Sequence, residues 1–261
     1  MRPHRFLFLF IILFFGGRSL DTQAAERVAV YLNFDKPSDF FSVGRLLLRD
    51  DVEFVEQRGF GGSAGIKVTY IGNSKGSPRV VQRIPFSDLG VEHALLRYQV
   101  KFCHDFDFAR GGKLHGLAPN SLVSGGRSSF SDGWSARLVF TPGGGLASYV
   151  YHYGQNGRFG DHRQAKDFRF ELDRWYQLEL DLKLNDLGAS NGRAVIRVNG
   201  NDVVDHKGLT FRRDLRGDLL ISQLLFSTFF GGNDSSFAPR GVDGQYKNVC
   251  AIFDDFEVLV Y

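Results

Sequence analysis

Apolar side chains in this chain recur at every second position. Leu178, Leu180, Leu182 and Leu184 alternate with Glu179, Asp181 and Lys183, and Leu96, Tyr98, Val100 and Phe102 alternate with Arg97, Gln99 and Lys101. A two-residue period sends one set of side chains to each face of a β-strand, whereas a helix repeats every 3.6 residues. Asn199-Gly200 lies between the apolar runs Val195 to Val198 and Val203 to Val204, the pattern of a tight hairpin. Glycine breaks at Gly59 to Gly62, Gly125 to Gly126 and Gly143 to Gly145 punctuate the rest. Many short strands and few helical periods predict an all-β fold, two antiparallel sheets packed as a sandwich or jelly roll. A short helix or turn is expected over Pro85 to Glu92. With 43% hydrophobic and 23% charged residues and no shift in composition, residues 26–261 read as a single domain.

Three of the strand-like segments carry polar residues at the same two-residue spacing. They are GGKLHGLAP (Gly111 to Pro119), GWSARLVF (Gly133 to Phe140) and SYVYHYG (Ser148 to Gly154). Ser135, Arg137 and Val139 share one face, as do Tyr149, Tyr151 and Tyr153; Trp134, Ala136, Leu138, Val150 and His152 point the other way. The expected result is a lysine, a guanidinium and two phenols on adjacent strands.

That set suits β-elimination on a uronic-acid polymer. The sugar carboxylate must be neutralised so that the carbon-five proton becomes acidic, and arginine matches a carboxylate bidentately without losing its charge. A base then removes that proton while an acid protonates the oxygen leaving carbon four. A free tyrosine titrates near pH ~10, and neighbouring cations are expected to favour the phenolate. Tyr151 is the expected principal acid/base, with Tyr149 as its positioning partner.

The words around these residues resemble the family 14 polysaccharide lyases. GGKLHGL (Gly111 to Leu117), GWSARL (Gly133 to Leu138), YVYH (Tyr149 to His152) and STFFGGND (Ser227 to Asp234) stand in the family's order, and the likeness runs from about Leu95 to the end. The resemblance implies a jelly roll with a substrate groove and puts the family's lysine, serine, arginine and two tyrosines on Lys113, Ser135, Arg137, Tyr149 and Tyr151. Catalysis is expected from Lys113, Arg137, Tyr149 and Tyr151. Ser135, His115, His152 and Asn233 are the candidate substrate contacts. His115 stands where the family pattern has proline, so it either meets sugar or replaces a turn residue; Phe237 takes a place where tryptophan is frequent and keeps an aromatic body there.

Other chemistries have less support. A retaining glycosidase needs two carboxylates on one face, yet Glu171/Asp173 and Glu179/Asp181 supply only pairs, on segments that read as a turn and a solvated face. The seven histidines are scattered, His152 and His162 lying nearest the expected groove, and no HExxH or EF-hand pattern occurs, so no metal and no cofactor are expected. Asp254-Asp255 could hold a structural calcium, although acids there more often cap turns. Asn233-Asp234-Ser235 matches the N-glycosylation pattern, a sugar contact or turn being the alternative. No basic stripe suggests nucleic acid. An acidic polysaccharide is the expected partner of a monomer. The second reading, from a different class, is a lectin-like jelly roll that binds carbohydrate without cutting it; such a protein should have lost at least one of the four catalytic candidates.

Residues 1–25 read as a secretory signal peptide: Arg2 and Arg5 precede the apolar run Phe6 to Phe15, with cleavage expected after Ala24 or Ala25. The run falls short of the ~20 residues that a spanning helix needs, so no membrane association is expected after cleavage. Cleavage removes Arg2, Arg5, Arg18 and Asp21 and lowers the formal charge from +3 to about +1, so a polyanion would have to be met by a local basic cleft. Cys103 and Cys250, in an oxidising compartment, invite one disulfide. Antiparallel pairing with Tyr98 near Asp255 would set them opposite each other; two buried thiols are the alternative.

Overall fold

The computed structural model describes residues 26–36, 38–126 and 133–261; the signal segment read at 1–25 lies outside them. The first sheet contains β1 (Arg27–Leu32), β2 (Val52–Val55), β3 (Gly65–Ile71), β5 (His93–Phe102), β10 (Trp175–Lys183), β11 (Gly192–Val198), β12 (Asn201–Leu209) and β14 (Asn248–Val260). Its order is β12-β11-β10-β5-β14-β3-β2, with β1 added alongside β14. The second sheet contains β4 (Val80–Pro85), β6 (Gly112–Ala118), β7 (Ser135–Thr141), β8 (Gly145–Tyr151), β9 (Asp161–Gln164) and β13 (Gln223–Phe230), in the order β4-β13-β6-β7-β8-β9. Every strand pairing is antiparallel. The fold is therefore the expected β-sandwich.

The alternation read from the sequence explains the packing. Leu96, Tyr98, Val100 and Phe102 of β5 and Leu178, Leu180 and Leu182 of β10 enter the core, where they meet Ala136, Leu138 and Phe140 of β7. Phenylalanines fill much of the space between the sheets: Phe106 stacks on Phe230 with ring centroids 5.5 Å apart and meets Phe140 edge-on. On the opposite face of the large sheet, Glu179 faces Arg97 across one strand boundary and Arg197 across the other. Its carboxylate takes Arg97 Nε at 2.9 Å, while Asp181 takes Arg197 Nη2 at 3.0 Å. These are cross-strand ion pairs on the side away from the small sheet.

Asn199 and Gly200 form the β11–β12 turn, both at positive φ (49° and 80°), as an Asn-Gly hairpin requires. Pro85 ends β4, and residues 86–92 form a loop rather than a helix, pinned where Phe86 N donates to Ser222 O and Val91 exchanges backbone bonds with Ile221. A helix does occur at α1 (Asp39–Leu47), which was not expected. Its buried Val43 and Leu46 lie three residues apart and face the core, a period hidden in a segment too short to stand out among strands.

Cys103 and Cys250 are joined in a disulfide across β5 and β14, with Cα atoms 5.4 Å apart. The register is close to the expected one. Asp254 pairs with Gln99 and Glu257 with Arg97, so a bulge at Asp255 (φ 47°) sits opposite Tyr98. Asp254 is fully buried there and accepts from Phe60 N (2.8 Å), Ser63 Oγ (2.6 Å) and Asp255 N (2.7 Å). Burial pushes its carboxyl up to about 6 against the opposing effect of those hydrogen bonds. Among the described residues no group of three or more His, Cys, Asp or Glu side chains is placed to hold a metal ion.

Candidate active site

The outward face of the small sheet carries a groove of about 800 Å³. One register row crosses it strand by strand: Arg83 on β4, Leu225 on β13, Gly116 on β6, Arg137 on β7, Tyr149 on β8 and His162 on β9. Lys113 belongs to the next row, opposite Phe229 and Val139. A bulge in β6 between Lys113 and Gly116 separates the two rows.

Each word of the GWSARL segment has a structural task. Gly133 has φ 148°, and a Cβ there would lie 1.6 Å from Ser121 O, so only glycine lets the two backbones approach. Trp134 turns into the core and donates from Nε1 to Leu219 O at 2.7 Å. Ser135 is fully buried and donates to Val123 O at 2.7 Å, fastening the 121–126 loop over the end of β7. Arg137 is 5% exposed and follows on the groove floor. Its Nε has no hydrogen-bond partner among the described residues, and Nη1 makes only a 3.5 Å contact to Ser227 Oγ.

Lys113, Arg137, Tyr149 and Tyr151 all line the groove. Lys113 Nζ stands 3.3 Å from the centroid of the Tyr149 ring. The two phenol oxygens are 3.1 Å apart, and Tyr151 Oη also accepts from Gly126 N at 2.8 Å. Beneath them Val123, Val139, Ala147, Tyr149 and Tyr151 form a small apolar cluster separate from the main core. Desolvation therefore governs the electrostatics. Burial, and then the charge of Arg137, hold the Lys113 amine well below the usual lysine range. Burial also lowers Arg137, whose guanidinium nonetheless stays protonated.

Tyr149 moves in the direction opposite to that expected. Burial and the neighbouring Tyr151 hydroxyl raise its phenol above the ordinary tyrosine value, outweighing Arg137 and the Gly160 amide, which pull it down. Burial thus favours the neutral form of both groups, the protonated phenol of Tyr149 and the uncharged amine of Lys113.

Other expected site residues lie elsewhere. His115 is fully buried between the sheets, ringed by Tyr98, Phe226, Phe253 and Phe256, and its Nδ1 accepts from Ser227 N at 3.0 Å. The bulge in β6 turns it inward, so it does not contact sugar. His152 points off the groove face, pairing with Asp161 at 2.9 Å and accepting from Thr210 N. Ser135 has its hydroxyl committed to Val123 and does not line the groove. Tyr153 lies past the end of β8, bonded through its amide to Thr210 O and covered by the Arg213 guanidinium. Asn233 does line the groove, where Arg79 Nη2 donates to its side chain at 3.5 Å. Phe237 is there too, beneath Arg110.

Among the groove residues outside the expected set, His162 lies tilted against Tyr149, with ring centroids 4.5 Å apart, and is held below the usual histidine value by burial and then Lys113. Arg79, Arg83 and Arg110 are the others. Among the described residues the groove thus collects four arginines and a lysine against the single carboxylate of Asp234. This is the local basic cleft that a nearly neutral chain needs to hold a polyanion.

The family model for polysaccharide lyase 14 matches residues 65–249, a span that contains every groove strand. The chain belongs to that family. Membership makes it a polysaccharide lyase, and its fold agrees. A marine PL-14 alginate lyase from Aplysia kurodai superposes with a TM-score of 0.71 at 20% identity, covering 90% of this chain and 100% of the other. Alginate lyase vAL-1 from Chlorella virus gives 0.67 at 24% identity, with coverage of 90% and 100%. An endo-β-1,4-glucuronan lyase from the fungus Trichoderma reesei gives 0.56 at 16% identity, with coverage of 80% and 87%. At such identities the likeness is one of fold. A comparison with curated proteins finds no match.

Proposed function

We propose that this protein is a secreted lyase that cleaves a uronic-acid polymer of alginate or glucuronan type by β-elimination. The observation that carries the reading is the state of the groove cations: Lys113 and Arg137 converge beside two phenols, and among the described residues no carboxylate neutralises either. A buried guanidinium with unused donors is a receptor for a carboxylate. The fold relatives named for alginate and glucuronan act on polymers of that kind.

In this reading Arg137 binds the uronate carboxylate and stabilises the charge that spreads onto it as the carbon-five proton leaves. Lys113, its proton affinity lowered by burial, takes that proton as the neutral amine. The electron pair forms the carbon-four to carbon-five double bond and the carbon-four to oxygen bond breaks. The Tyr149/Tyr151 pair supplies a proton to the departing oxygen, a role that suits a phenol kept protonated. Lys113 rather than Tyr149 is the base, because desolvation disfavours both charged forms and so lowers the lysine amine while it raises the Tyr149 phenol.

Purified protein incubated with alginate, glucuronan and a neutral glucan tests the proposal. The expected result is ultraviolet absorbance from a conjugated unsaturated uronate with the acidic polymers only. Binding of uronan without any unsaturated product would instead make the protein a lectin-like jelly roll.

A further inference from the structure

The reaction residues occupy only part of the groove. Lys113, Arg137, Tyr149 and Tyr151 come from β6, β7 and β8, with His162 beside them on β9, whereas β4 and β13 contribute a separate set. Arg83 and Arg137 share a register row but are three strand boundaries apart, roughly 14 Å at ~4.8 Å per boundary. Between them Leu225 and, one row along, Phe229 form an apolar floor. Arg79 lies over the Phe229 ring, 5.5 Å from its centroid, and is fixed on its other side by Asn233. Arg79 and Arg83 are both exposed to the groove, and among the described residues neither has a carboxylate partner. On the outer face of the large sheet, by contrast, Arg97, Arg193 and Arg197 are each paired with acids.

We propose that the β4 side of the groove is a second uronate subsite, in which Arg83 and Arg79 hold the carboxylate of a sugar further along the polymer while Leu225 and Phe229 support its apolar face. This inference rests on the reading of the groove as a uronan site. Arg83 rises from the far side of the groove, three strand boundaries from Arg137, and is placed to meet a different sugar of the same polymer. Two arginines on one wall match a planar anion, and an apolar floor beside them matches the carbon-hydrogen face of a pyranose ring. Binding at this subsite draws the polymer across the reaction residues without touching the reacting bonds, so it contributes to KM and to the dependence on chain length.

The test compares wild type with the Arg79→Gln/Arg83→Gln double variant on alginate and glucuronan of graded length, at several salt concentrations. KM for long chains is expected to rise about tenfold, the loss of two exposed charge contacts, with kcat within about twofold of wild type. Its salt dependence should flatten, and oligomers too short to reach β4 should lose nothing. An unchanged KM and salt slope overturns the subsite. So does a fall in kcat with KM unchanged, which would move these arginines into the chemistry. Calorimetric binding of the same polymers separates the two readings. Weaker uronan binding by the double variant supports the subsite even if wild type forms no unsaturated product; if wild type binds no uronan, both readings fall.

Discussion

Arg137 lies across Gly116 on the neighbouring strand, and the missing side chain of one makes room for the other. A Cβ at position 116 would stand 2.8 Å from Arg137 Cγ and 2.0 Å from Ala136 O. Gly116→Ala is therefore expected to displace the guanidinium and to reduce kcat/KM by about tenfold or more, with a stability loss of ~1–3 kcal/mol from overpacking. Kinetics together with thermal unfolding would check it. Wild-type kinetics in the alanine variant would show that the arginine position tolerates the shift.

The proton roles predict the pH profile. The Lys113 amine must be neutral to act as base, so activity rises with pH through its lowered value. It falls again where the Tyr149 phenol, raised by burial, ionises on the alkaline side. Lys113→Arg keeps a cation that does not deprotonate and is expected to lose ~10²–10⁴ of turnover while still binding polymer. Tyr149→Phe should remove or shift the alkaline limb. Lys113→Arg turning over at the wild-type rate would return the base to tyrosine.

Asp254 gives the fold a pH dependence of its own. Its carboxyl is raised to about 6 in the folded protein, so the native state holds this proton more tightly than the unfolded chain does. The stability it contributes is fully present below pH ~4 and is lost as pH rises through about 6. Denaturant titrations of wild type and Asp254→Asn between pH 4 and 8 should differ in slope across that window. Parallel curves would mean that the group titrates at its unfolded value.

The Cys103–Cys250 bridge closes a loop between positions 147 residues apart. Replacing both cysteines with alanine is expected to cost roughly 2–4 kcal/mol with kcat retained, because the bridge lies in the large sheet and the groove belongs to the small one. Chemical denaturation and turnover would measure both. A loss of turnover at full stability would tie the bridge to the groove.

The sandwich was legible because the two-residue period is directly encoded: Leu96 to Phe102 and Leu178 to Leu184 go inward as their spacing demands. Lys113, Arg137, Tyr149 and Tyr151 were legible for the same reason, since one register row and the rows on either side of it bring them to one face. His115 was not. The bulge in β6 turns it inward, and a bulge breaks the very alternation by which a face is assigned. His152 and Tyr153 lie at or beyond the end of β8, where that alternation no longer governs direction. Arg83, and Arg79 just before β4, join the groove through a pairing with β13 that is distant along the chain, and no local pattern announces them; His162, read as near the groove, reaches Tyr149 through the short polar strand β9. The inverted shift of Tyr149 required knowing how deeply it is buried, because two cations nearby predict the opposite sign.

The placement of β14 has a consequence for how the protein comes into being. This strand pairs with β5 along one edge and with β3 and β1 along the other, so a nascent chain that has not yet emitted residues 248–260 has a large sheet in separate pieces, β12-β11-β10-β5 and β3-β2, with β1 unpaired. The ribosome must release those residues before the pieces can be joined, and pairings of such long range form slowly. Until then the apolar faces of β3 and β5 are exposed to self-association. Cys250 is near the start of the joining strand, so the joint oxidation of Cys103 and Cys250 by the thiol oxidants of an oxidising compartment is a chemical timestamp: a population trapped before assembly should carry free thiols, and one trapped after it should not.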